Sequence, residues 1–152
     1  MTPAEHATRP LPPADYDDAR AVADEWFGHP VGLTMHRLFF DQLGPSGVWI
    51  GAEGRMAGVL LGLASEAQPE LAYVHFHMVD PALRGRGLGA ALYREFGRRM
   101  HARGCTRIRA LAQPDRVGSV GFHEALGFSG ALHPDYMGPG ADRIVFERVL
   151  PL

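Results

Sequence analysis

The chain has 152 residues, a length that fits one compact domain, so we expect a single domain over residues 1–152. Its 46% hydrophobic residues and 21% charged residues exclude a disordered protein, and no apolar run approaches the roughly 18 residues of a membrane-spanning helix. A net charge of −2 argues against nucleic acid as a partner. The N-terminus lacks the pattern of a secretion signal and Cys105 is the only cysteine, so we expect a cytoplasmic protein.

The first half of the sequence predicts two helices and then a hairpin. Residues 1–13 contain four prolines and predict a loose leader into the fold. Apolar residues at helical spacing predict helices over 15–27 and 33–43, the second ending at Gly44-Pro45. Two apolar runs on either side of Glu53-Gly54-Arg55 predict a β-hairpin.

The second half alternates strands with helices. Residues 71–79 are rich in β-forming residues and stop at Asp80-Pro81, and an amphipathic helix follows from Leu88 and ends at Gly104. The remaining predicted elements are a strand over 107–112, a short helix capped by Asp115 and closed by Gly127, and a strand over 142–150. This order predicts an α/β (α+β) fold with a mixed sheet.

A glycine-rich turn, Arg84-Gly-Arg-Gly-Leu-Gly89, lies between a predicted strand and a predicted helix. Glycines allow close backbone approach, and the free N–H groups at a helix N-terminus bind anions, so the turn is suited to a diphosphate. A P-loop is excluded because the sequence contains no lysine. A dinucleotide-binding turn, Gly85-x-Gly87-x-x-Ala90, fits poorly because five residues separate it from Val79. A purely structural turn remains the alternative.

Arginine is concentrated around and after this turn. Residues 84–116 contain nine arginines and two acidic residues, although the whole chain is nearly neutral. Such a local excess of positive charge indicates a polyanionic ligand bound by one segment of the protein.

Two motifs in this order carry a family resemblance. Arg84-x-x-Gly87-x-Gly89 follows Val79-Asp-Pro81, and a second motif spans residues 122–128, Phe-His-Glu-Ala-Leu-Gly-Phe. The sequence thereby resembles the GCN5-related N-acetyltransferase (GNAT) family. Tyr73-Val-His-Phe and the segment 135–143 are similar to a bacterial subgroup of that family.

The resemblance implies a mostly antiparallel mixed sheet with helices on both faces. It also implies that acetyl-CoA, the cosubstrate, donates its acetyl group to a primary amine by direct attack in a ternary complex, with no metal. Family members often dimerise, so a homodimer is also expected. The acceptor would bind where the first two helices and the segment 133–142 meet the open edge of the sheet.

The same resemblance assigns cofactor-binding residues. The pantetheine arm would pair with the backbone at His77, Met78 and Val79. Arg116 stands where many relatives have an asparagine that helps to hold the cofactor. The diphosphate would bind main-chain N–H groups of Arg84, Gly85, Arg86, Gly87, Leu88, Gly89 and Ala90.

Relatives with a strand-borne base place it at the positions of His75 or Tyr73, and His75 is favoured because imidazole titrates near neutral pH. His123 stands where relatives carry the acid that protonates the leaving thiolate. On a regular strand His75 and His77 would share one side, so the pair could instead be packed in the core or bind a metal. This leaves a metal-dependent hydrolase using both histidines and Asp80 as one alternative, and a non-catalytic acyl-CoA-binding module as another.

Overall fold

The computed structural model describes residues 6–152. The described chain forms four α-helices and one seven-stranded sheet. The helices are α1 (Tyr16–Phe27), α2 (Arg37–Leu43), α3 (Leu88–Ala102) and α4 (Val117–Ala125). The strands are β1 (Ala7–Arg9), β2 (Val48–Ala52), β3 (Arg55–Ala64), β4 (Leu71–Val79), β5 (Arg107–Ala112), β6 (Ser129–His133) and β7 (Arg143–Val149). None of the described helices is long and apolar enough to cross a membrane.

The strand order in the sheet is β1-β2-β3-β4-β5-β7-β6. All neighbours are antiparallel except β4 and β5, which are parallel. Helices α3 and α4 bury their apolar residues against one face, in a core that includes Leu92 and Phe96. Helices α1 and α2 cover the other face through Trp26 and Phe40. The predicted α/β (α+β) fold with a mixed, mostly antiparallel sheet and helices on both faces is confirmed.

Strands β4 and β5 pair over a short distance only. Three residues of β4, Leu71–Tyr73, pair with Arg107–Arg109 of β5, and the register ends there. Beyond that point residues 74–79 of β4 and 110–112 of β5 no longer pair with each other. We call the space between these two segments the β4–β5 gap. It opens toward the turn that joins β4 to α3.

A β-bulge in β4 changes which way its side chains face. Gly62 of β3 pairs with Val74, whereas the preceding Leu61 pairs with Phe76, so His75 is the extra residue. Val74 therefore belongs to the core under α3 and α4, and Phe76 to the core under α1 and α2. Glycine at position 62 is required here, because a Cβ would lie 2.7 Å from the Tyr73 carbonyl oxygen. The expectation that His75 and His77 share one side was wrong because the bulge breaks the alternation of a regular strand.

The second predicted helix is shorter than expected. A separate turn of 3₁₀-helix covers Gly32–Met35, and His36 then adopts an extended conformation with ψ 140°. The Nδ1 atom of His36 accepts a hydrogen bond from the Leu38 N–H at 3.0 Å, which caps the start of α2. The predicted cap of α4 is also corrected, because Arg116, and not Asp115, is the N-cap residue and its side chain makes no capping bond.

The expected loose leader over residues 1–13 is corrected for its second half. Ala7–Arg9 form β1, which pairs with β2 at the edge of the sheet. Leu11 is 0% exposed, and its N–H donates to the Gly44 carbonyl at 3.2 Å. The prolines of this segment are compatible with an edge strand and the turn after it. Residues 1–5 lie outside the described residues.

Replacing Leu11 by alanine is therefore expected to lower the free energy of unfolding by about 2 to 5 kcal/mol, the usual cost of a cavity at a closed core position. The matched control is Leu33→Ala, because Leu33 is 80% exposed and its truncation is expected to change stability by no more than about 0.5 kcal/mol. Urea unfolding measures both variants. Equal stability of Leu11→Ala and the wild type would mean that this segment is a loose leader after all.

Candidate active site

The turn between β4 and α3 rests on a buried carboxylate. Asp80 is 7% exposed, forms an ion pair with Arg55, and accepts a hydrogen bond from the Ala82 N–H at 2.9 Å. Burial by itself would raise the pKa of Asp80, but the hydrogen bonds from Arg55 and Ala82 outweigh it and lower the pKa below its ordinary value. A charged Asp80 therefore fixes the point where the strand ends and the turn begins.

The glycines of the turn leave its main chain open. Gly85 and Gly87 have φ angles of 79° and 80°, and a Cβ added to either would meet nothing within 4 Å. Gly87 is the N-cap of α3 and offers no side-chain cap, so the first N–H groups of the helix lack a capping side chain. Gly89 differs, because a Cβ there would lie 2.9 Å from the Phe122 ring, and this glycine allows α3 and α4 to pack closely.

Side chains of the turn tie it to other elements. Arg84 donates from Nη2 to the carbonyl oxygen of Trp26 at 2.5 Å, near the end of α1. Arg86 forms an ion pair of 2.7 Å with Glu53 in the β2–β3 hairpin. Leu88 is buried in the core and Ala90 packs against it. These side-chain contacts hold the shape of the turn, while its main chain at Gly85 and Gly87 stays open.

The other predicted cofactor-binding residues border the β4–β5 gap. His77, Met78 and Val79 pair on their far side with Leu60, Val59 and Gly58 of β3. Their opposite edge faces the side where β5 has stopped pairing. Arg116 begins α4 with its side chain exposed.

His75 and Tyr73 lie close to the segments expected to bind the acceptor. His75 Nε2 is 2.7 Å from the Thr34 carbonyl oxygen, and its ring packs against Phe39 at 4.4 Å between centroids. Because a carbonyl oxygen only accepts, Nε2 carries a hydrogen, and in the neutral form of the ring Nδ1 carries the lone pair. Burial and the nearby Tyr136 raise the pKa of Tyr73, so its hydroxyl stays protonated at neutral pH.

His123 lies inside the protein, at the end of a chain of hydrogen bonds. The residue is 1% exposed, and its two ring nitrogens lie 2.7 Å from the Ser119 carbonyl oxygen and 2.8 Å from the Tyr93 hydroxyl. The Tyr93 hydroxyl is also 3.2 Å from His77 Nδ1. Sequence reasoning missed Tyr93, whose only signal was its place on the apolar side of the predicted third helix.

Burial keeps His77 and His123, the two histidines that bond to Tyr93, uncharged. It lowers the pKa of the half-buried His77 to about 3, with a smaller contribution from the neighbouring His123 and Arg84. It also lowers the pKa of His123, although the hydrogen bond to the Ser119 carbonyl acts in the opposite direction.

The structure does not bring His75 and His77 together. His75 contacts Phe39 and Thr34 on the α1–α2 face, whereas His77 contacts Tyr93 and Phe122 on the α3–α4 face. One metal ion cannot reach both rings through the sheet. The metal-dependent hydrolase therefore has no site of the expected kind at these residues.

The low pKa of His77 makes stability depend on pH. His77 binds a proton near pH 6.5 when unfolded but near pH 3 when folded, so the unfolded state gains protons first as the pH falls. We expect the wild type to lose up to roughly 2 kcal/mol more unfolding free energy between pH 7 and pH 5 than His77→Phe does. Urea unfolding at the two pH values measures this difference. His133→Asn, at an exposed position of β6, is the control and should keep the wild-type pH dependence.

Comparison of the sequence with models of protein families identifies the class of protein. The chain belongs to the acetyltransferase (GNAT) family, whose model matches residues 10–128. The turn, the gap and the short parallel pairing all lie within the matched part.

Solved structures of similar fold name particular acetyltransferases. Ard1 from Thermoplasma volcanium is 18% identical, with a TM-score of 0.82 over 97% of this chain and 99% of that one. The ribosomal-protein-S18-alanine N-acetyltransferase from Escherichia coli is also 18% identical, with a TM-score of 0.79 over 97% and 96%. The phosphinothricin acetyltransferase from Sinorhizobium meliloti, solved with acetyl-CoA, is 22% identical, with a TM-score of 0.76 over 95% and 88%. At these identities the likeness concerns the fold.

Proposed function

We propose that this protein transfers the acetyl group of acetyl-CoA to a primary amine, on a small molecule or at a peptide N-terminus. The observation that carries the proposal is the open, glycine-lined N-terminus of α3 at the mouth of the β4–β5 gap. The open main chain at Gly85 and Gly87 suits a diphosphate, and the gap suits the extended arm that follows it in coenzyme A.

Residues of the gap would bind the rest of the cosubstrate. The free edge of β4 at His77, Met78 and Val79 offers main-chain groups to the amides of pantetheine, as an added strand would pair with a sheet edge. Arg116 lies exposed at the start of α4, and its guanidinium supplies a fixed positive charge for a phosphate.

The acceptor amine would approach from the α1–α2 face. Tyr73 and His75 lie there, near the Thr34 segment and near Tyr136 of the β6–β7 connection. Large apolar side chains are exposed in both of these segments, namely Leu33, Leu38, Tyr136 and Met137. This arrangement favours an acceptor with an apolar part next to its amine.

His75 is proposed as the general base. The Thr34 carbonyl fixes Nε2 as a donor, so Nδ1 is the atom that takes a proton from the amine. The amine nitrogen then forms a bond to the acetyl carbon and loses its second proton to solvent, the carbon–sulfur bond breaks, and coenzyme A leaves as a thiolate that is protonated from solvent. Both substrates are bound at once and no acyl-enzyme forms.

His123 was expected to be the general acid. We propose that it instead positions Tyr93, whose hydroxyl bonds to His77 beside the gap. Both nitrogens of His123 are already hydrogen-bonded, so it offers no free N–H to a thiolate.

Gly87→Glu tests the cofactor site. The new carboxylate would lie where the diphosphate binds, so isothermal titration calorimetry should detect no acetyl-CoA binding. The matched control is Gly104→Glu, at the other end of α3, because Gly104 also has a positive φ and equally open surroundings. The control shares the backbone strain but should bind acetyl-CoA as the wild type does. Wild-type affinity in folded Gly87→Glu would place the site elsewhere.

His75→Gln tests the chemistry, after an acceptor has been found by screening amines for thiol release. We expect turnover to fall by about 10² to 10⁴-fold while acetyl-CoA affinity stays unchanged, since the lost group transfers a proton and does not hold the cosubstrate. Tyr73→Phe is the comparison, and a larger loss in that variant would assign the base to Tyr73. Binding of acetyl-CoA without thiol release for any amine would favour the non-catalytic acyl-CoA-binding module.

A further inference from the structure

The hydrogen bonds around Tyr93 can run in only one direction while both histidines are neutral. The Ser119 carbonyl accepts, so His123 Nδ1 carries a hydrogen and His123 Nε2 is bare. The Tyr93 hydroxyl must then donate to His123 Nε2. Its oxygen is left to accept from His77, so His77 Nδ1 carries a hydrogen and His77 Nε2 is a bare acceptor.

Packing prevents these rings from changing their orientation. Tyr93 is 0% exposed, and the His123 ring is stacked on Phe146 at 4.8 Å and meets Phe128 edge-on at 5.6 Å. The His77 ring is stacked on Phe122 at 5.1 Å. A flipped His123 ring would lose its hydrogen bonds inside the core, and a flipped His77 ring would lose its hydrogen bond to Tyr93.

His77 is the end of the chain that a ligand can reach. It lies four positions beyond Tyr73, the last residue of β4 that pairs with β5, and it is only half-buried. Its Nε2 atom is on the ring edge away from Tyr93 and has no hydrogen-bond partner in residues 6–152. The fixed acceptor is therefore placed beside the β4–β5 gap.

We propose that Tyr93 and His123 are positioning residues that hold His77 in this one tautomer, so that His77 Nε2 accepts a hydrogen bond from an amide N–H of the pantetheine arm of acetyl-CoA. This inference rests on the proposed function. It adds a side-chain contact to the main-chain contacts of β4 and gives Tyr93 a role.

The chemistry of the site favours an acceptor over a proton-transfer group at His77. Its pKa of about 3 lies about 7 below that of an ordinary alkyl ammonium, so taking a proton from the amine is strongly unfavourable. Accepting a hydrogen bond from a neutral amide requires no ionisation. The same low pKa keeps His77 an acceptor throughout the neutral pH range.

Tyr93→Phe tests the inference because it keeps the ring and removes both hydrogen bonds. We expect acetyl-CoA to bind roughly 3- to 10-fold more weakly, the usual effect of one lost hydrogen bond. The phosphoadenosine diphosphate portion of coenzyme A, which lacks the arm, should bind as it does to the wild type. Tyr16→Phe is the matched control, because its hydroxyl bonds to the Met35 carbonyl on the other face of the sheet.

NMR of the His77 ring nitrogens determines which of them carries the hydrogen in the ligand-free protein. The wild type should show a single tautomer with the hydrogen on Nδ1, and Tyr93→Phe should show a mixture. A second pair of variants, His77→Gln and His77→Leu, distinguishes the loss of the hydrogen-bond acceptor from the change in side-chain volume. His77→Gln keeps an acceptor and should retain more of the acetyl-CoA affinity than His77→Leu.

Two results would overturn the inference. The first is unchanged acetyl-CoA affinity in both Tyr93→Phe and His77→Leu while the wild type binds, which would leave the proposed function standing. The second is a wild-type His77 with its hydrogen on Nε2. If Tyr93→Phe does not fold, the His77 pair and the wild-type spectrum decide. A wild type that binds no acetyl-CoA would overturn the proposed function as well.

Discussion

The limited pairing of β4 with β5 is the constraint on which the rest of this structure depends. Parallel strands normally continue side by side, but here the register ends after Tyr73 and Arg109. Beside the gap, Tyr93 of α3 and Phe122 of α4 contact the ring of His77 on β4. The sheet is interrupted between β4 and β5, and the unpaired edge of β4 is free to form hydrogen bonds with another extended chain.

Charged side chains stabilise the turn at the mouth of this gap. Asp80 is the central one, because its ion pair with Arg55 and its hydrogen bond to Ala82 fix the end of β4. Removing Arg55 would leave a buried carboxylate without its partner, a more costly change than losing an exposed ion pair. The clustering of arginines indicated a polyanionic ligand, but the two arginines of the turn itself bond to other parts of the protein. Arg84 donates to the Trp26 carbonyl, and Arg86 pairs with Glu53.

Sequence patterns predicted the parts of the fold that repeat regularly. The hairpin at Glu53-Gly54, strand β4 and helix α3 were predicted to within a few residues, because apolar periodicity and glycine turns determine them locally. Strands β1 and β6 were missed. The first is three residues long, and every residue of the second is exposed, so neither has the alternation that marks a half-buried strand.

The candidate site shows the same division. The turn was predicted because its glycines lie close together in the sequence. The bulge at His75 depends on how β4 pairs with β3, and no residue pattern within β4 indicates it. The partnership of Tyr93 with His77 and His123 joins residues 16 and 30 positions apart, and no local pattern reveals it. The predicted roles of His75 and Tyr73 remain predictions, and for His123 a positioning role is proposed in place of the predicted general acid.

The hydrogen bond from Arg84 to the Trp26 carbonyl has a consequence for how the two halves of the site communicate. Trp26 is near the last residue of α1, and the chain that leaves α1 reaches Thr34 eight residues later, where it holds His75. Two hydrogen bonds and the chain between them therefore connect the glycine-rich turn with the imidazole of His75. Under the proposed function, acetyl-CoA bound at the turn would act on the segment that places His75 beside the amine. Coupling of this kind is reciprocal, so each substrate would bind more tightly when the other is present.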